Sequence, residues 1–75
     1  MNPSQKPALK VGIGGLGTIG FDLAQRLDEG IEGLILSAVS ARDTDAARLR
    51  LNALRQQVPV LSLAELAQVC DVVVE

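Results

Sequence analysis

The chain has 75 residues, 48% of them apolar and 21% charged, with a formal net charge of −2, one cysteine and no histidine. That length holds one small domain at most, and the lack of histidine excludes an imidazole base, a Ser-His relay and an imidazole-bound metal. Seven Lys and Arg against nine Asp and Glu make no basic field for a nucleic acid, and no apolar run reaches the roughly 18 residues of a membrane span.

Residues 1–8 are polar, with Pro3 and Pro7, and read as a flexible tail rather than a signal peptide. Cys70 has no second cysteine to pair with, so a reducing, cytoplasmic setting is expected. Leu9 to Gly14 is a short apolar run ending at glycines, which suits a buried parallel strand. From Thr18 the period changes. Ile19, Leu23 and Leu27 recur every fourth residue beside Ala24, and Gly30 closes the segment, predicting an amphipathic helix. Phe21 is expected in its core. Leu34 to Val39, entered through Gly33, is a second strand.

Ser40-Ala41-Arg42-Asp43 has the spacing of a capping box. It predicts a second helix to about Gln56, with Ala47, Leu51 and Leu54 on one face and Arg48, Arg50 and Arg55 on its solvated side. Val58 to Leu61 predicts a short strand, which Pro59 confines to a sheet edge because proline cannot donate to a ladder. Ser62 to Glu65 repeats the box and opens a third helix that buries Leu63, Leu66 and Ala67. Cys70 fits a small buried residue, and Asp71 to Glu75 predicts a fourth strand.

Strand and helix thus alternate as βαβαβαβ, which predicts an α/β fold with parallel strands and helices on both faces wherever the winding reverses. An all-valine final strand is normally flanked by another strand and covered by a helix. Residues 9–75 are therefore expected to be the first half of a doubly wound domain, truncated after the fourth strand.

Two glycine patterns overlap: Gly12 to Gly17 and Gly15 to Gly20 both match G-x-G-x-x-G. The earlier register would shorten the strand and put Gly17 and Gly20 inside the helix, each costing about 1 kcal/mol relative to Ala. In the later register Gly15 makes the tight turn, Gly17 lets a pyrophosphate approach the backbone and Gly20 lets the helix pack on the strand. With a strand before it and an amphipathic helix after it, the motif predicts a Rossmann-like dinucleotide site formed by Gly15, Leu16, Gly17, Thr18, Ile19 and Gly20. The alternative is a tight turn without a ligand.

About 20 residues beyond the last glycine, where an NAD site typically places Asp or Glu on the ribose, stands Ser40. Ser40 and Arg42, aided by donors at the start of the second helix, suit a 2′-phosphate and favour NADP over NAD. Asp43 and Asp45 would oppose it, so NAD stays an alternative. Otherwise Ser40 is only a cap and Arg42 a solvated residue; Arg48, Arg50 and Arg55 are read as solvated, the alternative being that one of them reaches the adenosine end of the cofactor. The ends of the first and fourth strands, at Gly15 and Glu75, are expected to border the nicotinamide side.

Lys10 to Gly20, Ala38 to Asp43, Val60 to Leu66 and Cys70 to Glu75 together resemble the N-terminal part of the L-aspartate dehydrogenase family, and the N-terminal domain of homoserine dehydrogenases is similar. The resemblance implies an NAD(P)-dependent oxidoreductase that converts L-aspartate to iminoaspartate, and so to oxaloacetate or into NAD biosynthesis. It also implies a homo-oligomer and a later domain that supplies a histidine and holds the amino acid. Only the glycine turn, Ser40 and Arg42 carry over as cofactor contacts; no catalytic residue is assigned. The 75 residues alone are expected to oxidise no aspartate, and a nucleotide-binding remnant is the alternative.

Overall fold

A computed structural model describes residues 8–75. Of the expected tail, residues 1–7 lie outside the described part. Strand β1 (Leu9–Gly14) pairs in parallel with β2 (Leu34–Ser40) on one side and β3 (Val72–Val74) on the other, giving the order β2-β1-β3. Helix α1 (Thr18–Glu29) joins β1 to β2, and α2 (Thr44–Leu51) and α3 (Leu63–Val69) follow β2. The β1–β2 register runs from Leu9 opposite Leu34 to Val11 opposite Leu36, then slips so that Gly12 faces Ala38 and Gly14 faces Ser40. The slip leaves Ser37 without a partner on β1, as in a bulge.

Two expected strands shrink. Val58 to Leu61 is not a strand but one parallel bridge, Val60 to Val39, on the outer side of β2. The Val39 N–H donates to the Pro59 carbonyl at 3.0 Å and the Leu61 N–H to the Val39 carbonyl at 2.7 Å. Proline therefore takes part only as an acceptor, at the edge. The last strand covers Val72 to Val74 rather than Asp71 to Glu75. Asp71 instead ties it to β1: its N–H donates to the Lys10 carbonyl and its Oδ2 accepts from the Lys10 N–H, both at 2.8 Å.

With the bridge included, the four extended segments lie in the spatial order third, second, first, fourth. Alternate residues of β1 face opposite sides of the sheet. Val11 and Ile13 share one core with Ala24 and Leu27 of α1, Leu36 and Val39 of β2, and Ala47 and Leu51 of α2. Leu66 of α3, with no exposed surface, packs on the other side, where Gly12 carries no side chain. A methyl group on Gly12 would lie 2.7 Å from Cys70 Sγ and 3.2 Å from Leu66 Cδ2. The winding thus reverses between the second and third helices, which places helices on both faces, while Val72 and Val74 of β3 stay exposed. Phe21 packs, half-buried, against the larger core.

Each helix starts differently. The α3 capping box forms as expected: Ser62 Oγ accepts from the Glu65 N–H at 3.1 Å, and Glu65 Oε1 accepts from the Ser62 N–H at 3.0 Å. The Ser62 N–H above all, with the Ser62 side chain adding to it, favours the carboxylate and holds the Glu65 pKa below its ordinary value. A carboxyl lowered in the folded state stabilises above its unfolded pKa, and that contribution fades as pH falls through the folded value. In an NMR titration the Glu65 midpoint is expected below that of a free glutamate, and Ser62→Ala, which keeps the residue 62 N–H that contributes most, is expected to raise it only part of the way back.

The α2 box does not form. Ser40 ends β2, and the cap is Asp43, whose Oδ1 accepts from the Ala46 N–H at 3.0 Å. The helix stops at Leu51 rather than Gln56 and continues as turns, with Asp28 accepting from the N–H groups of Arg55 and Gln56 at 2.9 and 3.3 Å. Helix α1 begins at Gly17 with no side-chain cap and no acidic residue in its first turn. Three expected core positions are open to solvent: Ile19 at 86%, Leu63 at 53%, and Ala67.

Candidate functional site at the glycine turn

The turn from β1 into α1 takes a left-handed residue at Gly15, with φ of +96°, a conformation that costs other residues about 1–2 kcal/mol. The Gly15 N–H donates to the Ser40 carbonyl at 3.0 Å, which extends the β1–β2 ladder by one bond and pins the turn to the end of β2. Gly20 is the point of closest approach: a methyl group there would collide with the Gly15 carbonyl oxygen and come within 3.2 Å of Ile13 Cγ2. Only a bare α-carbon lets α1 descend onto the strand at this angle. At Gly17, by contrast, an added Cβ would meet nothing within 4 Å. Its space is open on the solvent side of the turn. These geometries separate the two overlapping glycine patterns in favour of Gly15 to Gly20.

The first intrahelical bond of α1 runs from the Phe21 N–H to the Gly17 carbonyl at 2.8 Å. The N–H groups of Thr18, Ile19 and Gly20 therefore have no acceptor among the described residues, and no acidic residue of the helix's own first turn faces the positive end of its dipole. Helices α2 and α3 satisfy their own starts with Asp43 and Ser62. Such an open start is an anion-binding arrangement, and the bare space at Gly17 gives an anion room to reach it. The residues present thus fit a pyrophosphate.

Three clefts meet at Gly15. One, of about 440 Å³, runs between the turn, Ile19 and Leu23 of α1, and Val74 and Glu75 at the end of β3. A second, of about 350 Å³, passes Ser40 and Arg42 toward the start of α3. The third, also about 350 Å³, lies between the turn and α2, lined by Arg42, Asp43, Ala46 and Arg50. Gly15 and Glu75 thus border the same opening, at the carboxyl ends of neighbouring strands where the winding reverses.

The residues singled out from the sequence play unequal parts here. Leu16 turns its side chain into the core, at 7% exposure, and offers the cleft only its backbone. Thr18 and Ile19 are exposed over the first cleft. Ser40 is buried to 7% exposure beside the turn, whereas Arg42 is exposed at the surface and lines both the second and third clefts. Of the donors expected from the start of α2, the Ala46 N–H is taken by the Asp43 cap. Arg50 is exposed, as expected of the solvated side of its helix, but sequence reasoning missed its bond: its Nη1 donates to the Leu16 carbonyl at 3.0 Å. A bond across 34 positions leaves no periodic signal. The one available hint is the stripe Asp43, Ala46, Ala47 and Arg50, which shares a helix face at spacings of three and four.

No protein-family model matches the chain, and no solved structure does. Among curated proteins, it is 48% identical over 67 residues to an L-aspartate dehydrogenase of Bradyrhizobium diazoefficiens, covering 89% of this chain and 24% of that protein. It is 41% identical over 73 residues to L-aspartate dehydrogenase 3 of Bordetella bronchiseptica, covering 96% of this chain and 27% of that protein. The chain spans about a quarter of the length of these relatives. No helix of the described residues is long and apolar enough to cross a membrane. Along nearly its whole length the chain is thus similar to about a quarter of each of two L-aspartate dehydrogenases, over an α/β fold with a parallel sheet.

Proposed function

We propose that residues 9–75 form the first half of a nicotinamide-dinucleotide-binding domain, serving an NAD(P)-dependent dehydrogenase that acts on L-aspartate in the cytoplasm. The observation that carries the binding part is the uncapped start of α1 beside the empty space at Gly17. Gly15, Leu16, Gly17, Thr18, Ile19 and Gly20 hold the pyrophosphate through backbone donors and the helix dipole. The substrate is proposed from the names of the relatives. When bound, the nicotinamide accepts a hydride from the α-carbon of the amino acid. This chain's own share is to bind and orient. Residues beyond these 75 hold the amino acid and move its proton, in a protein that we take to be a homo-oligomer.

Within that reading NADP is favoured over NAD. Ser40 stands where a carboxylate would otherwise bind the ribose and repel a phosphate, and Arg42 is exposed a short step away. One oxygen of Asp43, the nearest competing acid, is engaged by the Ala46 N–H. Titration of the chain with NADPH and with NADH, followed by nicotinamide fluorescence, tests both points. Binding of neither overturns the dinucleotide reading. Arg42→Ala is expected to weaken NADPH about tenfold, the worth of one charge-assisted hydrogen bond, while barely affecting NADH. An unchanged NADPH affinity removes Arg42 from the site.

A further inference from the structure

Arg50 sits on the face of α2 that carries Asp43, Ala46 and Ala47, and its Nη1 is fixed on the Leu16 carbonyl at 3.0 Å. The two alanines on that stripe leave a gap between the helix and the glycine turn, and this gap is the cleft of about 350 Å³ that Arg42 borders from its other side. A guanidinium has five N–H donors in a rigid fork, and the Leu16 bond engages one of its nitrogens. Among the described residues Arg50 forms no ion pair. A strap to a neutral carbonyl therefore holds Arg50 at the cleft without an ion-pair partner among the described residues.

We propose that Arg50 is a specificity-determining residue which, anchored on the Leu16 carbonyl, presents its remaining N–H groups to a 2′-phosphate held between it and Arg42. The proposal rests on the dinucleotide reading above and adds to it a recognition residue from the body of α2. It accounts for two features together. The bond orients the fork before any ligand arrives, which lowers the ordering cost of binding. A second cation also offsets the free oxygen of Asp43, which borders the same cleft.

The test measures NADPH and NADH affinities of the full chain carrying Arg50→Met and Arg50→Lys, with thermal melts of each. Arg50→Met is expected to weaken NADPH about tenfold and NADH less than threefold, and Arg50→Lys, which keeps the charge, is expected to recover part of the loss. A residue that merely braced the turn would weaken both dinucleotides equally, and that result overturns the proposal. So does an unchanged NADPH affinity in both variants. If the unmodified chain binds neither dinucleotide, the dinucleotide reading falls and takes this proposal with it, an outcome distinct from a selective failure of the variants.

Discussion

Gly17→Asp is expected to abolish dinucleotide binding while leaving the fold as stable as before, or slightly more so. Gly17 is the N-cap of α1 with φ of −86° and ψ of −162°, backbone angles that any residue adopts, and a Cβ there meets nothing within 4 Å. Aspartate is among the preferred capping residues and improves on glycine by a few tenths of a kcal/mol. Its charge also favours the positive end of the helix. The same carboxylate would occupy the donors on which the proposed pyrophosphate depends and repel its charge. Like charges placed face to face cost several kcal/mol, so affinity should fall about a hundredfold or more. A melt of unchanged or higher midpoint, combined with lost NADPH fluorescence, is the expected pair of results. Retained affinity would mean that the anion does not bind at this helix start.

Gly20→Ala is expected to fail in the opposite manner, through the fold. The added methyl collides with a backbone atom, the Gly15 carbonyl, which cannot rotate aside as a side-chain tip would, and it crowds Ile13 Cγ2 at 3.2 Å. Either α1 lifts from the sheet or the turn is displaced. Overpacking of this kind costs about 3 kcal/mol, a large part of the stability of a domain this small. Urea denaturation reads the loss directly. A midpoint equal to that of the unmodified chain would show that the helix does not approach the turn as closely as described.

The two glycines look alike in the sequence, and what tells them apart is the strand before them and the helix after them. That much was legible: the glycine pattern, the apolar run of β1 and the four-residue spacing in α1 agree on a single arrangement. The capping box of α3 was legible too, because all its bonds lie within four residues. The Ser40 box was misleading for a physical reason. Its carbonyl accepts from the Gly15 N–H and its residue pairs with Gly14, so the sheet takes Ser40 before the helix can use it, and Asp43 becomes the cap. Spacing alone does not rank these competitors. Ile19 and Leu63 show a related limit: helical periodicity identifies an apolar face without showing how far that face extends past the sheet it packs on. Arg50 could be named from the sequence as one of three arginines with a possible reach to the cofactor, but its bond to the Leu16 carbonyl could not, because that partner is set by the approach of α2 to the glycine turn.

The unequal helix starts carry one more consequence under the dinucleotide reading. Where α2 and α3 carry their caps in the chain, α1 would borrow its cap from solution. Folding and cofactor supply then become thermodynamically linked: free dinucleotide at a hundred times its dissociation constant would add about 2.7 kcal/mol to stability, provided that the unfolded chain does not bind it. The melting temperature would consequently follow the dinucleotide concentration, and a cell poor in cofactor would hold more of this protein unfolded and open to proteases.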